Sequence, residues 1–267
     1  MILAICLVMV GLSGLLAATL PTYQMCVLHE QHKGWRLLMS MIAMFVFGYI
    51  GFIWLLFHRP TATLELIVAA VFAGGGLFVW LVTKMSRQTL AKLMQTIDDK
   101  DYQANHDLLT GLPNRNRFYD KMDDMLLATQ SQFSCVMMDL NEFKIINDTL
   151  GHEAGDAVLK EVGKRIAYAC PPHAIAARLG GDEFAVILPN TSSELATETA
   201  LKIKQSLLQD IQFDHHKLAV GVSIGIAQFP SDGSDRRTLM KSADIAMYHA
   251  KNHHTPFTIF NRQSQSK

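Results

Sequence analysis

Three uncharged apolar segments occupy the first 83 residues: Met1 to about Leu20, about Leu37 to Phe57, and about Leu66 to Val82. A helix needs about 20 apolar residues to cross a bilayer. Lipid offers a backbone no partner but itself, so each segment is expected as a membrane-spanning helix. Tyr23, Trp35, Trp54 and Trp80 fall near the segment ends, where amphipathic rings favour the headgroup layer. The first run starts at Met1 with no Lys or Arg before it, which disfavours a cleaved signal peptide. No ionisable residue stands in the middle of a span, so the usual mark of a transporter or proton relay is missing. An anchor and a small sensor of a membrane or envelope signal are both open readings.

The flanking charges give an orientation. Lys33 and Arg36 lie between the first two segments, and Lys84, Arg87 and Lys92 follow the third, whereas residues 58–65 hold only Arg59, offset by Glu65. The positive-inside rule then puts the N-terminus outside and residues 84–267 in the cytoplasm. Over the whole chain 24 basic residues balance 24 acidic ones. That balance argues against a nucleic-acid binder or a polybasic membrane binder. Cys6, Cys26, Cys135 and Cys170 have no CxxC spacing and read as reduced thiols, with neither a disulfide framework nor a zinc site.

Residues 84–104 form a linker. From Lys84 to about Gln103 there is no Pro or Gly, and Leu90, Leu93, Met94 and Ile97 recur at three- and four-residue spacing. The pattern predicts a helix with one apolar stripe, continuing the third span and pairing in parallel with the same helix of a second copy.

Beyond Asn105 the pattern alternates. Phe133–Leu140 and Phe184–Leu188 are short apolar runs, the second preceded by the hairpin signal Gly180-Gly181. His152–Ala169 carries Val158, Leu159, Val162 and Ile166 at helical spacing. Thr191 with Glu194 has the form of a capping box ahead of a stripe at Ala196, Ala200, Ile203 and Leu207. Val220–Phe229 reads as a strand, Asp235 as the cap of a helix to about Lys251, and Phe257–Phe260 as an edge strand. The sum is an α/β domain over residues 105–263, with helices covering a mixed sheet.

Asp139 ends the first apolar run and Asp182-Glu183 follow the glycine turn. If the two strands are neighbours, three carboxylates converge, a donor set suited to Mg²⁺ with substrate phosphates. Taken singly, each acid reads as well as a solvated turn residue. Gly180 and Gly181 let backbone approach a ligand, or merely turn the chain. Lys144 stands five residues past Asp139, in reach of a phosphate, although lone surface lysines seldom have that role. Asn147, His152 and Asp156 surround a glycine-containing turn, where Asn and Asp can read a guanine edge or cap a helix. There is no GxxxxGK[ST] phosphate loop, no HExxH, and no Ser-His-Asp pattern.

Together these segments resemble the GGDEF family of diguanylate cyclases, from about His106 to Phe260. Gly180-Gly181-Asp182-Glu183-Phe184 is the signature, with Arg178 before it. Asp107-Leu-Leu-Thr110-Gly-Leu-Pro-Asn114-Arg115 is similar to the family's opening motif, and the run Asp139 to Asp148 to its metal and guanine segment. Leu150-Gly-His152, Gly155-Asp156, Ser223-Ile-Gly225-Ile-Ala227 and Ala243-Asp244 through Lys251 follow in the family's order. The resemblance implies a mixed five-stranded sheet wrapped by helices, like a nucleotidyl cyclase or polymerase palm. It implies Mg²⁺, or Mn²⁺, on Asp139, the Leu140 carbonyl, Asp182 and Glu183. By the same resemblance Asp182 helps activate a ribose 3′-hydroxyl, and Asn147 and Asp156 read guanine with His152 nearby. Phe143 lines the base pocket, and Lys144 and Lys251 neutralise phosphates. The implied reaction joins two GTP into cyclic di-GMP with loss of two pyrophosphates. It requires a homodimer through linker and catalytic domains, held at a bacterial inner membrane with the catalytic domain in the cytoplasm.

Three positions depart from the family pattern. The inhibitory RxxD site would fall at 171–174, which reads Pro-Pro-His-Ala, so that site is absent. Downstream of Lys251, where Gly-Arg-Asn is usual, stand His254-Thr255-Pro256. Losing the arginine's charge-assisted contact costs about 1.5–3 kcal/mol of substrate binding, for which His253 or His254 is a weak substitute. Asn141 replaces a second acid at a position expected to face away from the metal.

Overall fold

The computed structural model describes residues 2–28, 33–58, 63–128 and 132–261; Met1 and Arg59, used above to bound a span and to weigh a loop, lie outside them. The chain divides into two compact units, residues 1–98 and 99–267.

Among the described residues three helices are long and apolar enough to cross a membrane, α1 (Ile2–Leu28), α2 (Lys33–His58) and α3 (Thr63–Asn105), the last of which ends beyond the first unit. The third apolar run and the linker form one unbroken helix, as the absence of Pro and Gly from Lys84 onward predicted. The helices meet through small residues and one polar group. A Cβ placed on Gly76 would lie 1.9 Å from the Gly11 carbonyl oxygen, so α1 and α3 pack backbone to backbone. Tyr49 of α2 donates its hydroxyl to the Phe72 carbonyl of α3. Close packing at glycine and interhelical hydrogen bonds are what hold helices together in lipid, where burying apolar surface gains nothing. Farther along α3 the stripe is left open: Leu93, Met94 and Ile97 are exposed.

The second unit is built on a five-stranded sheet in the order β2–β3–β1–β6–β7, from β1 (Phe133–Asn141), β2 (Ile175–Gly180), β3 (Glu183–Pro189), β6 (Gly221–Phe229) and β7 (Thr258–Ile259). The β6–β7 pair is parallel and the others antiparallel, which gives the mixed sheet that was expected. β1 is central because its residues Phe133 to Met138 are buried on both faces. On one face Val136, Met138 and Leu140 pack with the apolar stripes of α6 (His152–Ala169) and α7 (Ser193–Leu207). On the other, Phe133, Cys135 and Met137 pack with Phe118 and Met122 of α4 (Arg115–Leu127) and Leu239, Ala243 and Met247 of α8 (Arg236–His253).

Helix α4 was not read from the sequence, nor was α5 (Phe143–Leu150), nor the small hairpin of β4 (Ile211–Phe213) and β5 (His216–Leu218). The cap of α7 is Ser192, one residue later than the capping box drawn from Thr191. Thr191 is instead buried, and its hydroxyl donates to the Leu188 carbonyl at 2.6 Å. Asp235 does cap α8, in a reciprocal pair with Thr238.

Candidate active site

The site forms where β1 leaves the middle of the sheet. Register sets Asp139 opposite Glu183 on β3 and opposite Ser223 on β6. The Leu140 N–H donates to the Asp182 carbonyl at 3.2 Å, which ties the hairpin tip to the strand end. The tip itself needs its glycines: both Gly180 and Gly181 have positive φ.

The three acids share this end of the sheet but do not close on one point. Lys251 of α8 holds the Asp139 carboxylate at 2.5 Å, and Arg115 of α4 lies 3.7 Å from Glu183. Among the described residues no group of three His, Cys, Asp or Glu stands close enough to hold a metal ion. Convergence therefore holds for the backbone, and the Asp139 and Glu183 side chains each face a cation of the chain itself. Even so, the local field is acidic. Burial pushes the Glu183 carboxyl above its ordinary range, and Asp139, Asp182 and Asp244 push it further against the pull of Arg115. Hard oxygen donors that repel one another at one edge suit a divalent cation, which relieves the repulsion on binding. By this chemistry Asp139, Asp182, Glu183 and the Leu140 carbonyl fit Mg²⁺ or Mn²⁺.

The guanine candidates gather at the turn from α5 to α6. Phe143 is buried at the start of α5, with Lys144 exposed in its first turn. A Cβ on Gly155 would fall 2.0 Å from Asn147 Oδ1 and 3.1 Å from the Phe143 ring, so the missing side chain makes room for both. Asp156 follows directly, and His152 lies one turn earlier on the same face of α6, both exposed. Asn141, expected to face away from the metal, stands instead on the same strand face as Asp139, because side chains two apart on a strand share a face, and its side-chain oxygen accepts from Ser223 at 2.7 Å.

A strap that the sequence did not disclose fixes the hairpin. Arg178 of β2 donates to both Asp107 carboxylate oxygens at 3.1 Å, and to the Gly181 carbonyl at 2.8 and 3.0 Å. Arg115 Nε donates to the Leu179 carbonyl at 2.9 Å. Asp107 also accepts from the Thr110 N–H and hydroxyl at 2.9 and 2.7 Å. Burial alone would raise the Asp107 carboxyl, but the Thr110 hydrogen bonds and Arg178 outweigh it and hold it below its ordinary range. A depressed carboxyl contributes stability above its unfolded pKa and loses it as pH falls through the folded one. The strap therefore holds at neutral pH and weakens in acid. The segment from Asp107 to Arg115 lies just past α3, so the strap ties the residues that follow this helix to the loop bearing the signature.

Residues 171–174 form a turn in which the Ala174 N–H donates to the Pro171 carbonyl at 2.9 Å. The segment brings no Arg or Asp of its own to the adjoining cavity.

Comparison with known proteins agrees with this geometry. The family model described as "Diguanylate cyclase, GGDEF domain" matches residues 104–256. The chain is 44% identical over 153 residues to the signaling protein YkoW of Bacillus subtilis, covering 55% of this chain and 19% of that protein. It is 39% identical over 155 residues to the diguanylate cyclase TpbB of Pseudomonas aeruginosa, covering 56% of this chain and 36% of that one. The solved coiled coil and GGDEF domain of DgcB from Caulobacter crescentus, in complex with c-di-GMP, is 27% identical with a TM-score of 0.60, covering 67% of this chain and 98% of that one. The chain thus spans between about a fifth and a half of the length of the curated relatives it matches.

Proposed function

The chain belongs to the GGDEF family, and on that footing we propose that it is a diguanylate cyclase, condensing two GTP into cyclic di-GMP as a membrane-bound homodimer. The observation that carries the proposal is the pairing of Asp139 with Glu183 across β1 and β3, with Asp182 bonded to the next residue of β1. That arrangement gathers three acids at one end of β1 and β3, one short helix away from the guanine candidates.

Asn147 and Asp156 hold the guanine edge over the floor made by Phe143, with His152 beside them. Lys144 and Lys251 take the phosphates, and Lys251 leaves Asp139 to do so. A bound Mg²⁺ would polarise the α-phosphate and lower the pKa of the attacking 3′-hydroxyl. Asp182 accepts that hydroxyl's proton as the oxygen attacks the α-phosphorus of the GTP on the partner subunit, and pyrophosphate leaves. Positioning and electrostatics account for most of the rate in such transfers. Each domain holds one GTP, so two must face each other.

In this reading residues 1–83 anchor or sense, 84–104 transmit, and 105–263 catalyse. The exposed stripe of Leu93, Met94 and Ile97 suits a parallel pairing of two linkers. The Arg178 strap would carry a change in that pairing to the signature loop. The charge bias of the flanking loops supports a cytoplasmic catalytic domain.

The test is the full chain in lipid nanodiscs with GTP and Mg²⁺, following cyclic di-GMP and pyrophosphate. Two pyrophosphates per cyclic product establish the reaction. GTP binding without turnover would turn the reading to a nucleotide-binding signalling module, which the Thr255 departure favours. Because 171–174 lacks the RxxD residues, added cyclic di-GMP is expected to leave initial rates nearly unchanged. Strong noncompetitive inhibition would refute that expectation.

A further inference from the structure

We propose that His249 and His253 form a site for a transition-metal dication that favours imidazole, such as Ni²⁺, Cu²⁺ or Zn²⁺, in the groove between α8 and β7. The inference stands independently of the cyclase reading. The two residues are four apart, so the helix sets them one above the other on a single face. Histidines at this spacing on a helix are a known zinc-binding pair. The segment reads His249-Ala250-Lys251-Asn252-His253. It lacks the glutamate that serves as base in HExxH, so metal binding is inferred without hydrolysis.

The structure brings the two rings together. Their centroids are 5.9 Å apart with planes 26° apart, and both line a cavity of about 300 Å³ between the last turns of α8 and β7. His253 Nδ1 lies 2.9 Å from the His249 carbonyl. A carbonyl only accepts, so Nδ1 carries the proton and Nε2 keeps its lone pair. A histidine ligand is usually held in this way, with one nitrogen on a backbone carbonyl and the other on the metal. The His249 side chain is exposed and, among the described residues, no hydrogen bond holds its ring. It is free to turn until a nitrogen stands about 2.0–2.1 Å from the same ion.

The rest of the cavity separates this ion from Mg²⁺. Thr255 and Thr258 place their hydroxyl oxygens 3.2 Å apart in its wall, and Asn261 lines it as well. No Asp, Glu, Lys or Arg contributes to the lining, and none of the acids at the end of β1 and β3 reaches it. Magnesium is held through carboxylates and phosphates, whereas imidazole suits zinc, copper and nickel. Two histidines without a third His, Cys, Asp or Glu beside them leave the other coordination positions to hydroxyls and water. A bound ion would pin the last turn of α8 and stabilise the folded state in proportion to its occupancy.

The experiment uses the full chain, free of affinity tags, in nanodiscs at neutral pH, with Mg²⁺ in excess to fill the acid edge. Ni²⁺ is titrated by calorimetry into wild type, H249A, H253A and H254A. One ion per wild-type chain is expected. Its affinity falls about a hundredfold in H249A and in H253A, since each removes one of two linked ligands. H254A binds as the wild type does, because His254 lines a different cavity. Ni²⁺ raises the Tm of wild type and H254A only. Cu²⁺ added below one equivalent gives a paramagnetic resonance spectrum with two equatorial nitrogens in the wild type and one in either single variant. The wild-type copper spectrum decides without any variant, so misfolding of a variant cannot mimic the result. Fewer than two nitrogens on wild-type copper would overturn the proposal. So would equal Ni²⁺ affinity in wild type and in H249A or H253A, or an equal loss in H254A.

Discussion

Replacing Asp139 by Asn is expected to lower cyclic di-GMP formation about a thousandfold while leaving the catalytic unit as stable as before, or slightly more so. The activity loss follows from the site's position. Asp139 faces Glu183 across β1 and β3, and its carboxylate pairs with Lys251, the residue proposed above to meet phosphate. An amide keeps the shape but removes the charge that a divalent cation requires, and losing several kcal/mol of transition-state stabilisation is a factor of about a thousand in rate. The stability expectation comes from the same charges. Asp139 is one of three acids that push the Glu183 carboxyl upward, so its removal relieves repulsion in the folded state. Its partner Lys251 is half-exposed, with 48% of its side chain accessible, and water takes over its solvation. Pyrophosphate release together with thermal unfolding distinguishes the cases. Unchanged turnover would remove Asp139 from the metal site, and a large drop in Tm would make its role structural.

This opposition of function and stability also explains what the sequence disclosed. Signals lying along the chain were legible: the apolar runs of β1 and β3, the stripe of α6, the Asp235 cap, and the unbroken helix of α3. The strand-end acids were legible too, since a period of two and a tight Gly-Gly turn leave few places for them to go. Elements defined by their neighbours were not. Helix α4 buries only Phe118 and Met122 in a polar stretch with two adjacent aspartates, too thin a stripe to stand out. Strands β4 and β5 have three residues each. The Thr191 cap failed because a buried hydroxyl was claimed by the Leu188 carbonyl, a partner that sequence spacing does not weigh.

At the site the limit was side-chain pairing. Lys251 was assigned to phosphate by resemblance, and its pairing with Asp139 spans 112 positions. The Arg178 bond to Asp107 spans 71. No local pattern announces either one. The contact of Gly11 with Gly76 is similar, because isolated glycines in an apolar run read as composition until a second helix is seen against them.

Gly225 presents the same limit with the largest consequence for folding: Gly225→Val is expected to unfold the catalytic unit or to lower its Tm by about 10 °C or more. Its place in β6 was legible, but the reason for glycine was not. A Cβ there would lie 2.1 Å from the Ala243 carbonyl oxygen, 2.2 Å from the Met247 nitrogen and 2.7 Å from the Met247 Cα. All three atoms are helix backbone, so no side-chain rotation removes the clash. Either α8 lifts from the sheet or β6 bends, and both strip contacts from Leu239, Ala243 and Met247, which are buried on this face. Overpacking a well-filled core costs about 1–3 kcal/mol even where neighbours can adjust. Here they cannot, and at about 2–4 °C per kcal/mol the shift is large for a unit of this size. Because α8 also carries Lys251, activity falls with stability, in contrast to Asp139→Asn. Cys135 offers the readout. It is fully buried on β1 opposite Ala227, with burial pushing its thiol up to about 12, so alkylation resolved by mass at this residue reports opening of the sheet. Faster labelling of Cys135 in Gly225→Val at temperatures where the wild type resists is the expected result. Equal labelling rates would mean that α8 accommodates the side chain, and that the close approach of helix to strand is not what holds this face of the sheet.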